Sequence, residues 1–240
     1  FYEDIVERMV GDIDFIVSKK EYQRTIEVLK KDGYKRTEKN LIGFHKHYPR
    51  LVKDNNIAAV EVHNNFFETK LADTYNYNTV KDTIHKKGLV NVLSFQDQFY
   101  LTIFAHQIND YGYASWSISL RSAYDILLIS KRIEPNSLKR KFNKKNNDII
   151  NCYTAVVDYT FHNIESLTVI KTKKKDIYLK NFNRIFFNRK KYKIRIYFIR
   201  KIKRIKYHLN LITKALYRKQ YTIYVFKKAK ERYQNITNGF

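Results

Sequence analysis

Gly11-Asp12-Ile13-Asp14 places two carboxylates two residues apart at the start of a run, Asp12 to Val17, whose β-branched and aromatic residues spell a short strand ending at Ser18. Side chains alternate across a strand, so Asp12 and Asp14 share one face. Two carboxylates that close repel, and keeping both ionised beside Ile13, Phe15 and Ile16 is costly unless a cation sits between them. Oxygen ligands of this kind suit a hard divalent ion such as Mg²⁺. A third carboxylate on a neighbouring strand would complete a site able to hold two metal ions, which clamp the attacking and leaving oxygens of an in-line phosphoryl displacement. Glu61, in Ala59-Val60-Glu61-Val62-His63, is the candidate. Val60 and Val62 take the opposite face, so Glu61 points with the Asp pair if the two strands share a sheet. The competing reading is a solvated strand face, where charged and apolar residues also alternate.

The elements that must carry these residues follow from periodicity and punctuation. After the first strand, Ser18 and Glu21 spell a capping box. Tyr22, Ile26 and Leu29 continue at helical spacing, and Gly33 supplies a left-handed stop. Extended segments are expected at Tyr34–Thr37, Leu41–Tyr48 and Ile57–His63, separated by polar breaks at Glu38–Asn40 and Lys53–Asn56. From about residue 79 the pattern turns helical. A capped start at Ser94-Phe-Gln-Asp97 leads into Phe99, Ile103 and Phe104; Trp116–Ile129, a start at Pro135 and Ile149–Phe161 follow. The expected organisation is an α/β core over residues 1–78, a helical domain over 79–165 and a basic helical tail over 166–240.

The charge is unevenly divided. The chain of 240 residues carries 47 Lys and Arg against 23 Asp and Glu, a formal net charge of +24. Residues 171–240 hold 23 of the basic residues and two of the acidic ones, so the first 170 residues are close to neutral. In the tail, Phe198, Ile202, Ile205, Leu209, Ile212 and Leu216 recur at spacings of four and three with Lys and Arg between them, which predicts one amphipathic basic helix from Tyr192 to Phe226. It could cover the helical domain, lie on an anionic membrane or grip nucleic acid; a Lys-rich composition also arises without any partner. The Ile, Leu, Tyr and Phe content excludes disorder throughout, and a single Cys excludes a disulfide scaffold and suits a reducing compartment. No stretch approaches the roughly 18 apolar residues of a membrane span. The expectation is a cytoplasmic protein whose tail can rest on a membrane.

The run Arg8-Met9-Val10-Gly11-Asp12-Ile13-Asp14-Phe15-Ile16-Val17, with the helix leading to Asp32-Gly33-Tyr34, resembles the core of the nucleotidyltransferase superfamily that includes DNA polymerase β. More narrowly, the chain is similar to the bacterial group called uncharacterised nucleotidyltransferase family proteins. Val60 to His63, Leu93 to Asp97 and His106 match that group's later motifs in the same order, so the resemblance covers about residues 1–135. It implies an α+β fold with a mixed sheet and flanking helices, followed by a helical C-terminal region. It also implies transfer of a nucleoside monophosphate from a nucleoside triphosphate to an acceptor hydroxyl with Mg²⁺. The acceptor could be a sugar, a protein or a nucleic acid.

By the same resemblance Asp12, Asp14 and Glu61 are catalytic metal ligands, with Glu61 positioning the acceptor hydroxyl or acting as its base. Gly11 and Arg8 meet the nucleotide, Arg8 through triphosphate charge unless it is simply a solvated helix-end arginine. His63 and His106 match the pattern and are read as structural, and His45 with His47, lacking a further nearby ligand, are not read as a metal site. The superfamily's phosphate-binding glycine turn would lie upstream of Phe1, and an N-terminal piece is expected there. The alternative is a catalytically inactive relative whose basic tail docks on nucleic acid or an anionic membrane.

Overall fold

The computed structural model describes residues 11–37, 47–133, 142–162 and 164–237. Strand β1 (Asp12–Ile16) opens the fold and helix α1 (Tyr22–Lys31) follows. Ser18 accepts a hydrogen bond from the Glu21 amide at 3.2 Å, but this closes a turn ahead of the helix, whose cap residue Glu21 makes no side-chain cap. The far end ends as expected. Gly33 sits at φ +89°, its N–H donates to the Lys30 carbonyl, and the Tyr34 N–H donates to the Leu29 carbonyl, the paired bonds of a Schellman stop.

Three further strands complete the main sheet: β2 (Lys35–Arg36), β3 (Leu51–Val52) and β4 (Ala59–His63), in the order β1-β4-β3-β2. β1 and β4 are parallel, while β3 runs antiparallel to both its neighbours. The strand expected over Leu41–Tyr48 falls mostly outside the described residues. Its described end bridges β4 at His47–His63, and the pairing resumes at Leu51–Val60, so the extended segment reaches further along the chain than the sequence pattern suggested. On the α1 face, Ile26, Leu51, Val60 and Val62 form a small core joined by Phe15, Val17 and Leu29.

The other sheet face meets the helical part through Ile16. Helices α2 (Leu71–Thr74) and α3 (Tyr77–Val80) lead to a short hairpin, β5 (His85–Lys87) and β6 (Val90–Val92). This hairpin corrects the expectation of helix throughout from residue 79. Three residues per strand are too few to show a period, and the deciding feature is Gly88 at φ +61° in the two-residue loop. Next come α4 (Phe95–Phe104), continued by a π-helical turn over Ala105–Asn109, then α5 (Gly112–Ser115), α6 (Leu120–Ser130) and α7 (Lys144–Phe161). The expected start at Trp116 is corrected: Trp116 is left-handed, and Ser119 caps α6 instead by accepting from the Ser122 amide. α7 likewise starts earlier than Ile149, capped by Asn143. Pro135 lies outside the described residues.

Phe67, Tyr75, Phe99, Phe104, Ile126 and Tyr153 centre the large core shared by these helices. Asp97 is buried at the start of α4, where Ser94 and Thr83 donate to its carboxylate at 2.8 and 2.5 Å and Tyr75 donates to its carbonyl at 2.8 Å. A buried carboxylate needs such donors, and these bind α4 to the segment before the hairpin. Helix α8 (Lys173–Phe186) packs on α7 through Tyr178 and Phe182 against Cys152 and Val156. Burial pushes the Cys152 thiol up to about 11. Tyr178 stacks on Tyr113 and donates to the Gln107 side-chain carbonyl at 2.9 Å, tying α8 to the π-helical turn.

Among the described residues, 11–37 and 47–189 form one unit and 190–237 a second. The second consists of α9 (Arg189–Tyr217) and α10 (Lys219–Thr237). The single tail helix expected over Tyr192–Phe226 is therefore two helices that change at Arg218, where no Gly or Pro marks the break. No described helix is long and apolar enough to cross a membrane.

Gly112 is held against the π-helical turn. A Cβ there would fall 2.5 Å from His106 Cε1 and 2.7 Å from Gln107 Nε2, and closer still to His106 Nδ1. Gly112→Ala is expected to cost about 2–3 kcal/mol by overpacking. In a thermal or urea unfolding series, adding His106→Ala should make the double variant less destabilised than the sum of the two single ones.

Candidate active site

Strand register brings the candidate residues together. In the β1–β4 pair Asp14 stands opposite Glu61 and Ile16 opposite His63. Val60 and Val62 turn into the α1 core, which leaves Glu61 and His63 on the other face with Asp12 and Asp14. His63 Nε2 lies 3.0 Å from Asp14 Oδ1 and 3.7 Å from Glu61 Oε2. One ligand atom from each of Asp14, Glu61 and His63 falls within 4.8 Å of the others.

Asp12 is drawn to a different partner. Arg50, on the extended segment before β3, donates from a terminal guanidinium nitrogen to Asp12 Oδ2 at 2.7 Å and from Nε to Glu61 Oε1 at 3.4 Å. Asp12 first, and Glu61 after it, hold the Arg50 pKa above its ordinary value. His47 completes the group: its Nδ1 is 3.6 Å from Glu61 Oε2, and its ring centroid is 4.9 Å from that of His63. Three carboxylates therefore gather around one guanidinium and two imidazoles. Glu61 and His63 are the sheltered members, with side chains 15% and 10% exposed, whereas the Asp14 side chain is 63% exposed.

The donor set fits a divalent cation. Two carboxylate oxygens and an imidazole nitrogen already converge, and carboxylates with imidazole suit first-row divalent ions as well as Mg²⁺. The sequence did not point to Arg50, and it pointed to His63 and His47 only as structural or unpaired histidines. The available signal was the alternation Glu61-Val62-His63, which puts His63 on Glu61's face. Arg8 and His45 lie outside the described residues. Gly11 is exposed, and among the described residues nothing lies within 4 Å of a Cβ built on it, so those residues do not themselves require glycine there.

Beside the carboxylates opens a cavity of about 600 Å³, lined by Asp14 midway along β1, by His63 at the end of β4 and by Ser18, Tyr77, Asn91 and Gln98 among others. Its size suits a nucleotide-sized ligand, and it lies at the carboxyl ends of the two parallel strands, where open α/β sheets take their ligands. Residues 1–152 match the model of a family described as uncharacterised nucleotidyltransferase. The chain belongs to that family. The match runs from ahead of β1 to the middle of α7 and so includes every carboxylate of the site, the cavity lining and most of the core that supports them. Membership supports a nucleotidyltransferase-type function, for which a nucleoside triphosphate is the implied substrate. No curated protein and no solved structure matches the chain.

Arg50 is half exposed, and such ion pairs contribute little to stability, so Arg50→Gln should cost no more than about 1 kcal/mol. It should, however, leave the carboxylates more dependent on added cation. Millimolar Mn²⁺ or Mg²⁺ is expected to raise the melting temperature of Arg50→Gln by more than that of the wild type, and Asp14→Asn should remove the effect in both backgrounds.

Proposed function

We propose that the protein transfers a nucleoside monophosphate from a nucleoside triphosphate to an acceptor hydroxyl, using the carboxylate face of β1 and β4. The observation that carries this reading is the register that sets Asp14 beside Glu61 with His63 Nε2 3.0 Å from Asp14. Asp12, Asp14 and Glu61 are assigned as the acidic residues of the site, and His63 joins Asp14 and Glu61 in holding a divalent cation. When bound there, the cation neutralises triphosphate charge and aligns the attacking and leaving oxygens.

The remaining work falls to the chain's own groups. Glu61, sheltered beside the open Asp14, positions the acceptor hydroxyl or takes its proton. Arg50 offers a planar guanidinium that matches phosphate oxygens and lies within reach of the same carboxylates. The cavity receives the nucleoside, with Tyr77, Ile84 and Leu101 as apolar wall and the Asn91, Gln98 and Asn109 amides as hydrogen-bonding groups. Gly11, uncrowded by the described residues, leaves the backbone at the entrance of β1 open to phosphate.

One observation favours a second reading, an inactive member of the family: Arg50 already pairs with Asp12 and Glu61, so part of the carboxylate charge is compensated without a metal. Activity separates the two. With Mg²⁺ or Mn²⁺ and α-phosphate-labelled nucleoside triphosphates, label is expected to pass to acceptors supplied as a cell extract, with pyrophosphate released. Asp12→Asn with Asp14→Asn should lower that rate by about a thousandfold while the melting temperature stays close to wild type. Equal transfer by the double variant would refute the assignment of the site, and no transfer by the wild type would favour the inactive reading.

A further inference from the structure

Helix α9 carries an apolar stripe that the fold leaves uncovered. Ile194, Phe198, Ile202, Ile205, Leu209, Ile212 and Leu216 are each more than half exposed, and none of the helix's 29 residues is buried. At about 100° per residue these seven fall within an arc of roughly 80°. Ile196 and Ile199, on another side of the helix, are partly covered, so the exposed stripe is a distinct face of the helix. The same helix carries eleven Lys and Arg and no Asp or Glu. Arg195 and Lys206 border the stripe on one side and Lys201 on the other.

We propose that α9 lies in the interface of an anionic lipid membrane, with its aliphatic stripe among the acyl chains and its cations at the headgroups. Both halves of the surface are used by that partner, since in-plane helices bind through buried apolar area together with attraction to anionic lipid. Nucleic acid would engage the cations but leave seven large apolar side chains without a partner. A second copy of this helix would cover the stripe while bringing two all-cationic surfaces together. The inference is independent of the chemistry assigned to the carboxylate site.

The test uses the full chain and vesicles of phosphatidylcholine with or without about 30 mol% phosphatidylglycerol, read by co-sedimentation at low and high salt. Binding to the anionic vesicles is expected to be at least about tenfold stronger than to the neutral ones and to weaken with salt. Phe198→Ser, Ile205→Ser and Ile212→Ser together should lower it about tenfold with an unchanged melting temperature, since these side chains are exposed. Lys203→Gln with Lys206→Gln, which spares the stripe, should weaken only the anionic-lipid component. Vesicle binding that ignores the stripe substitutions overturns the proposal. So does an absence of vesicle binding, whether the chain then binds RNA or duplex DNA or associates with itself.

Discussion

Repulsion among carboxylates on one sheet face is the constraint that the site has to satisfy. Asp12 and Asp14 share a strand face by alternation, and parallel pairing brings Glu61 alongside Asp14. Like charges at that spacing need cations close by. The chain supplies one of its own, since Arg50 reaches Asp12 at 2.7 Å and Glu61 at 3.4 Å. His63 and His47 stand against the same group. The carboxylate face is therefore partly compensated by the chain's own cation, with Asp14 its most exposed carboxylate.

The helical part has two tasks in relation to that face. It covers one side of the sheet through Ile16, and it closes the cavity beside Asp14 and His63 with α4 and the β5–β6 hairpin. The cavity wall is held in place by interactions that have no chemistry of their own. Asp97 ties α4 to the segment before the hairpin through Ser94, Thr83 and Tyr75. Gln107 and Gly112 lock the π-helical turn to α8 through Tyr178. π-helical turns are frequent at functional sites, and this one lines the cavity through Ala105 and Asn109.

Much of this was legible in the sequence where one residue type decides the geometry. Gly33 announced the end of α1, Ser94 and Asp97 the start of α4, and the alternation around Asp14 and Glu61 the shared face. What escaped depends on partners distant in the chain. The role of Arg50 exists only because β3 folds back antiparallel to β4, and nothing near Arg50 in sequence encodes that. The hairpin at 85–92 was hidden by its brevity and its lysines. The break at Arg218 lacks any Gly or Pro. Conversely, the strong capping signal at Ser18 produced only a turn, because local hydrogen bonding of that kind competes with the helix it resembles.

In the proposed site Asp14, Glu61 and His63 hold a divalent cation on the carboxylate face. Crystals of the protein soaked in Mn²⁺ test it directly through the metal's anomalous scattering. A peak is expected within bonding distance of Asp14, Glu61 and His63, lost in Asp14→Asn crystals. Mn²⁺ bound elsewhere, with Arg50 still bridging Asp12 and Glu61, would contradict it.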